Sequence, residues 1–223
     1  MFLANHKAMI SSKGAPASYY VGTVDDTSDL GVYTFSSADI GTAHSTRLVV
    51  VAVMIRGTGW MSSATVTIGG DAASETVQVV DAYRSGASIH QLEVASGTTA
   101  DIVVTPSGTG AGCAVSVHAL YDLASSTAKD TDTDVRSNVD DWKCLTEIGV
   151  DSGDYVVTCF TCNANQQVNW TKNASGKEDY DESITGGRES TASSTTTSTD
   201  STYDIQSESG DTGQGAQVTA SWA

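Results

Sequence analysis

The chain has 223 residues, a formal net charge of -16 and only 7% aromatic residues. With 11 Lys and Arg against 27 Asp and Glu, it lacks the basic footprint that displaces counterions from phosphate, which argues against nucleic acid and anionic membranes as partners. With 39% hydrophobic residues, 21 Gly and 2 Pro, it reads as a β-rich globular protein rather than a disordered chain.

In chain order, residues 1–24 carry Gly14, Pro16 and several Ser without periodicity, and no apolar run of signal-peptide length. They read as an extended N-terminal arm. VYTF follows as a short strand. From Leu48 to Ile55 the chain is apolar without a break, and it closes on Arg56-Gly57. This run is far short of the roughly 20 residues that span a bilayer, so it is expected to be a central buried strand. Its inner face would fill a core, and a loop, the arm or another subunit would cover its outer face.

ATVTIGGDAASETVQVV reads as two strands joined at Gly69-Gly70, because paired Gly tolerates the positive φ of a hairpin turn. ASIHQLEV, TADIVVTPS and GCAVSVHALYDL follow as strands. In the last, Cys113, Val115, Val117 and Ala119 share one face, and Ala114, Ser116 and His118 share the other. The polar stretch SSTAKDTDTDVRSNVDD reads as a loop or crossover that joins two halves near residues 124–140. Strands resume at WKCLTEIGV, DYVVTCFTC, QQVNW and KEDYDESIT. After a Ser/Thr run from Ser190 to Ser201 come TYDIQ and AQVTASWA. No amphipathic helix and no sequence repeat of fixed period is visible. The expectation is an all-β protein, an antiparallel β-sandwich of jelly-roll or Ig-like type, with one sandwich domain over residues 25–223.

Four groups of residues invite chemistry. Cys159 and Cys162 match C-x-x-C, but on a strand they point to opposite faces and cannot share a metal or a disulfide. With Cys113 and Cys144 they are expected to be free, buried thiols of a chain made in a reducing cytosol. Asp130, Asp132 and Asp134 have the spacing that opens a calcium loop. However, Val135 stands where that loop needs Gly, and Asp141 where it needs Glu. They remain candidate calcium ligands, against the alternative of a solvated charged loop. EDYDE, Glu178 to Glu182, offers paired carboxylates such as a glycosidase uses, or a charged edge strand that resists aggregation. Trp60, Trp142 and Trp170 are rim residues of the core or a sugar-stacking platform. His6, His44, His90 and His118 fall in no ligand spacing. The sequons at Asn169 and Asn173 matter only in a secreted eukaryotic protein.

Several segments resemble β-sandwich structural proteins of tailed bacteriophages. They are VYTFSSADIGTAHSTRLVVVAVMIRGTG (Val32 to Gly59), SSATVTIGGDAA (Ser62 to Ala73), TADIVVTPSGTGAGCAVSVHALYDL (Thr99 to Leu123) and the ending QVTASWA. The likeness is looser from Tyr155 to Ala223, and it does not cover residues 1–24. It implies a non-enzymatic virion part without catalytic residues or cofactor, located in the virion and assembled in the host cytoplasm. The expected role is capsid decoration or cementing, in which the arm and a sandwich edge bind the major capsid protein. The expected state is a homo-oligomer, with a trimer as the natural closed arrangement. The alternative is a tail-associated adhesion module that binds host-surface glycan or protein. A third reading, a glycan-active enzyme, would rest on Glu178 and Asp181.

Overall fold

In a computed structural model, residues 17–57, 63–81, 85–139, 143–163, 167–174, 177–184, 187–208 and 213–223 are described. Every element among them is a β-strand, and every strand pair is antiparallel. The first half runs β1 (Tyr19–Asp26), β2 (Tyr33–Asp39), β3 (Leu48–Gly57), β4 (Ala64–Ile68), β5 (Asp71–Ala72), β6 (Ser74–Val80), β7 (Ser85–Glu93), β8 (Thr99–Pro106) and β9 (Gly110–Leu120). The second runs β10 (Asp130–Val139), β11 (Lys143–Val150), β12 (Tyr155–Cys162), β13 (Asn169–Lys172), β14 (Glu178–Ile184), β15 (Gly187–Thr195), β16 (Asp200–Glu208) and β17 (Gly213–Trp222).

The two halves carry the same strand order. A five-stranded sheet β1-β9-β3-β7-β6 faces a smaller sheet β2-β8-β4-β5, and a five-stranded sheet β10-β17-β12-β15-β14 faces β11-β16-β13. Strand by strand, β1 corresponds to β10, β3 to β12, β7 to β15 and β9 to β17. The sequence shows no repeat because burial is what recurs, not identity. SGASIHQLE of β7 and GRESTASST of β15 have the same burial pattern position by position.

The four sheets stack as four layers around three cores. Val49, Val51, Val53 and Ile55 of β3 meet Ile102 and Val104 of β8 inside the first half. Phe160 and Cys162 of β12 meet Ile148 of β11 and Ile205 of β16 inside the second. Between them the two large sheets pack face to face. Leu48, Val50, Ala52 and Met54 lie against Val157, Cys159, Val218 and Trp222. This explains the unbroken apolar run of β3. Its outer face is covered by neither a loop, the arm nor another subunit, but by the second half of the same chain. Each fully buried aliphatic side chain there is worth about 1.5–3 kcal/mol relative to exposure. That gain keeps the two sandwiches together.

Two residues of the IGTA…RLVVVAV segment hold the entry to β3. Arg47 is 1% exposed, and its guanidinium donates to the carbonyls of Val94 (2.8 Å), Gly41 (2.7 Å) and Ser96 (2.9 Å). Gly41 has φ +82, and a Cβ there would lie 2.7 Å from that of Ala119, so only glycine fits.

Three expectations change. Of the arm expected over residues 1–24, residues 1–16 lie outside the described residues, and Tyr19 onward is β1, paired with β9. The stretch read as a loop is strand from Asp130 to Val139, paired with β17. The Ser/Thr run begins inside β15, where Ser190, Thr191 and Ala192 are buried. The hairpin at Gly69-Gly70 holds, with φ +62 and +92. Its second strand breaks at Ala73 into β5 of the small sheet and β6 of the large one.

Candidate functional site

The three aspartates of KDTDTDV do not converge. They stand at successive same-side positions of a strand. Each spends a carboxylate oxygen on the backbone of β11. Asp130 accepts from Gly149 N–H (2.6 Å), Asp132 from Glu147 N–H (2.8 Å) and Asp134 from Leu145 N–H (2.8 Å). Both β10 and β11 are sheet edges, so the row stitches the large sheet to the small one and occupies edge donors that would otherwise invite another strand. Among the described residues no group of three or more His, Cys, Asp or Glu is placed to hold a metal ion. Asp141 lies outside the described residues.

Cys159 and Cys162 separate as their strand requires. Cys159 sits between the two large sheets and Cys162 inside the second sandwich. All four cysteines are buried, and none forms a disulfide. Burial pushes the Cys159 and Cys144 thiols far up, so they are poor nucleophiles.

The carboxylates of EDYDE lie on an edge strand, as one of the two readings expected. Asp181 is held by Arg188, which donates from Nε at 2.7 Å and from NH2 at 2.8 Å. Glu178 is exposed, and desolvation and then Asp181 push its pKa up. Trp170 is buried in the second core and donates from Nε1 to Ser190 Oγ at 2.7 Å, so it is no stacking platform. Trp60 and Trp142 lie outside the described residues, as does His6.

The sequence gives little sign of a polar seam where β1 and β9 overlie β14 and β15. Tyr20 Oη bonds Thr23 Oγ1 at 2.8 Å, Thr23 Oγ1 bonds Ser116 Oγ at 2.5 Å, and Ser116 Oγ reaches Thr191 Oγ1 of the other half at 3.1 Å. The His118 ring lies 5.5 Å from Tyr20 and 6.0 Å from Tyr155, with Nδ1 at 3.4 Å from Tyr155 Oη. Tyr155 in turn donates to Ser193 Oγ at 3.0 Å. His118 is fully buried, and desolvation holds its pKa down to about 3, so it is neutral. Burial raises Asp179 to about 6, and it raises the wholly buried Glu189 well above the carboxylate range. Glu189 Oε1 and Oε2, Asp179 Oδ2, Tyr180 Oη and His118 Nε2 make no hydrogen bond. The only sequence signal was the pair of polar residues, Ser116 and His118, on the outward face of β9.

Two hollows of about 250 and 260 Å3 flank Leu123 at the base of the stack, where the chain passes between the halves. Both fall below the roughly 300–1,000 Å3 of typical ligand pockets. No protein-family model matches the chain, and no curated protein matches it.

Proposed function

We propose that this chain is a non-enzymatic structural protein of a bacteriophage virion that decorates or cements the capsid by binding the major capsid protein. The observation that carries the reading is the strand order repeated in both halves. With β5 and β6 counted as one broken strand, each half has eight strands: the first, eighth, third, sixth and fifth form the large sheet in that order, and the second, seventh and fourth form the small one, which β5 extends in the first half. We take this as the jelly-roll arrangement, which recurs in viral capsid domains, rather than the Ig-like one. Jelly rolls also serve as lectins and enzymes, so the order supports the architecture more than the role.

Two further observations support it. The segments that resemble phage structural proteins fall on β2–β3, β4–β5, β8–β9 and the end of β17, and residues such as Arg47 and Gly41 serve the fold there. Four of the candidate carboxylates, Asp130, Asp132, Asp134 and Asp181, are committed to structure. The Asp130 row caps β11, and Asp181 is clamped by Arg188. A double sandwich of this kind is a rigid block suited to stiffening an assembly, and copies around a local three-fold axis are the natural arrangement.

Gold labelling of purified virions with an antibody to the chain tests the reading. Gold over the head supports decoration. Gold confined to the tail replaces it with the adhesion reading. Unlabelled particles from cells that express the chain overturn both.

A further inference from the structure

We propose that the two halves form a proton-locked hinge: they stay joined along the β6–β10 side and part along the β1–β14 side when Asp179 and Glu189 lose their protons.

The interface between the large sheets is a pseudo-two-fold one, with β3 stacked on β12 and the flanking strands exchanged around them. Under strict symmetry the contacts of β6 with β10 and β17 would match those of β14 with β1 and β9. They do not: β6 packs closely along β10 and β17, whereas β14 touches β1 and β9 lightly. The chemistry follows the same division. The close side is closed by Val77 and Val79 of β6 with Val135 of β10. The open side carries the polar seam. There Ala87 of β7 is replaced at the corresponding place of β15 by Glu189.

Glu189 is 0% exposed and neither oxygen makes a well-formed hydrogen bond, although the Ala114 backbone lies close enough to favour the carboxylate. It faces Asp25 from β1, Arg56 from β3 and Tyr180 from β14. Arg56 approaches because Gly187 leaves room: a Cβ there would lie 2.7 Å from Arg56 Cδ. Arg56 favours the carboxylate, but burial and Asp25 oppose it and prevail. Asp179 faces Tyr20 from β1, Tyr155 from β12, its neighbour Glu178 and Ser193 of β15. Its Oδ2 is without a hydrogen bond. An ionised carboxylate in either place is desolvated with too few donors, whereas a carboxylic acid costs far less.

The direction follows. A carboxyl whose pKa is raised by folding stabilises the closed state fully below its ordinary value, and loses that contribution as pH rises through the raised one. For Asp179 the raised value is about 6; for Glu189 it lies well above the carboxylate range. His118 is kept neutral by burial in the closed state, so below its ordinary value it favours opening and offsets part of the change. With apolar contact holding one side and polar groups the other, repulsion opens the polar side. The hinge does not depend on the chain being a virion part.

Hydrogen exchange of the full chain, read by mass spectrometry at about pH 5 and about pH 8 and corrected for intrinsic rates, tests it. Amides of residues 19–26 and 178–184 are expected to lose protection about tenfold at the higher pH, with residues 74–80 and 130–139 unchanged. The Asp179→Asn, Glu189→Gln double variant is expected to abolish the difference. Equal loss in all four strands, or a difference that survives in the double variant, overturns the proposal. Should the double variant not fold, Asp179→Asn alone serves, and an undiminished pH response of β14 in it overturns the proposal.

Discussion

The two sandwiches have the same strand order and different interiors. Inside the first, Val115 of β9 stands opposite Val53 of β3 in an almost wholly apolar core. The corresponding place in the second is Gln217 of β17, opposite Phe160 of β12. Gln217 is 0% exposed, and its amide is fully used. It donates to Thr146 Oγ1 (2.7 Å) and the Ile205 carbonyl (3.0 Å), and accepts from Ser207 Oγ (2.6 Å) and Ser207 N–H (3.3 Å). Thr146, Thr219 and Thr158 continue the chain of bonds at 2.7 and 2.9 Å. One arrangement of strands thus tolerates an apolar filling and a polar one. It requires close packing in the first case and complete hydrogen bonding in the second.

What the halves share is the layer between them, and the largest expected effect lies there. Trp222 is wholly buried against both large sheets, and its Nε1 donates to Gln91 Oε1 of the first half at 2.9 Å. Trp222→Ala should cost about 4 kcal/mol. Because the lost contact belongs to both halves, urea unfolding should remain one transition with a lower midpoint. Two separated transitions, one unshifted, would show that the halves are independent units, and the comparison would then be between two domains.

The second test exchanges the chemistries. Gln217→Leu removes the amide but leaves Ser207, Thr146 and the Ile205 carbonyl buried, at a cost of about 3 kcal/mol. Val115→Thr puts an unsatisfied hydroxyl into the apolar core and should cost about 2 kcal/mol. Were Gln217→Leu neutral in urea unfolding, the polar network would be incidental and the contrast between the interiors would lose its meaning.

The same contrast explains what the sequence made legible. Strands whose apolar residues alternate or run unbroken, such as β3, β9 and β17, are plain in it, as is the Gly69-Gly70 turn. β15 is not, because GRESTASST looks solvent-facing until Trp170, Tyr180 and Ser116 arrive from other strands to satisfy its hydroxyls. β10 is hidden for the same reason: its aspartates find their donors on β11. β17 reads as half-exposed, yet its polar face, Gln217, Thr219 and Ser221, is buried in the second sandwich. The duplication is hidden because β7 and β15 match in burial and share only Ser88 and Ser190 in register. The polar seam depends on side chains from four strands, and no local pattern announces such a meeting.

A third expectation concerns pH. The first half buries two histidines: His90 is held down to about 4, with Nε2 at 3.0 Å from Ser88 Oγ, and His118 to about 3. Folding keeps both neutral, so their contribution is complete above the ordinary histidine value and is lost as pH falls toward these values. Asp179 and Glu189 act oppositely, losing theirs as pH rises through about 6 and beyond. Urea midpoints against pH should therefore peak near the ordinary histidine value, about pH 6.5. In Glu189→Gln the alkaline limb should flatten while the acid limb stays. An alkaline limb unchanged in that variant would remove Glu189 from the account.

The smallest effect separates two readings of the Asp130, Asp132 and Asp134 row. As capping groups, each carboxylate contributes one hydrogen bond to a β11 N–H at a half-exposed edge. Asp132→Ala should then cost about 1 kcal/mol. The triple alanine variant should also self-associate more readily, because it frees three edge donors. Asp132→Asn keeps an acceptor oxygen and should restore much of the loss. Calcium should leave the melting temperature of the unaltered chain in place. A calcium-dependent rise that vanishes in both Asp132 variants would mean that the row gathers around an ion, and that the edge of the second sandwich is held by a ligand rather than by its own backbone.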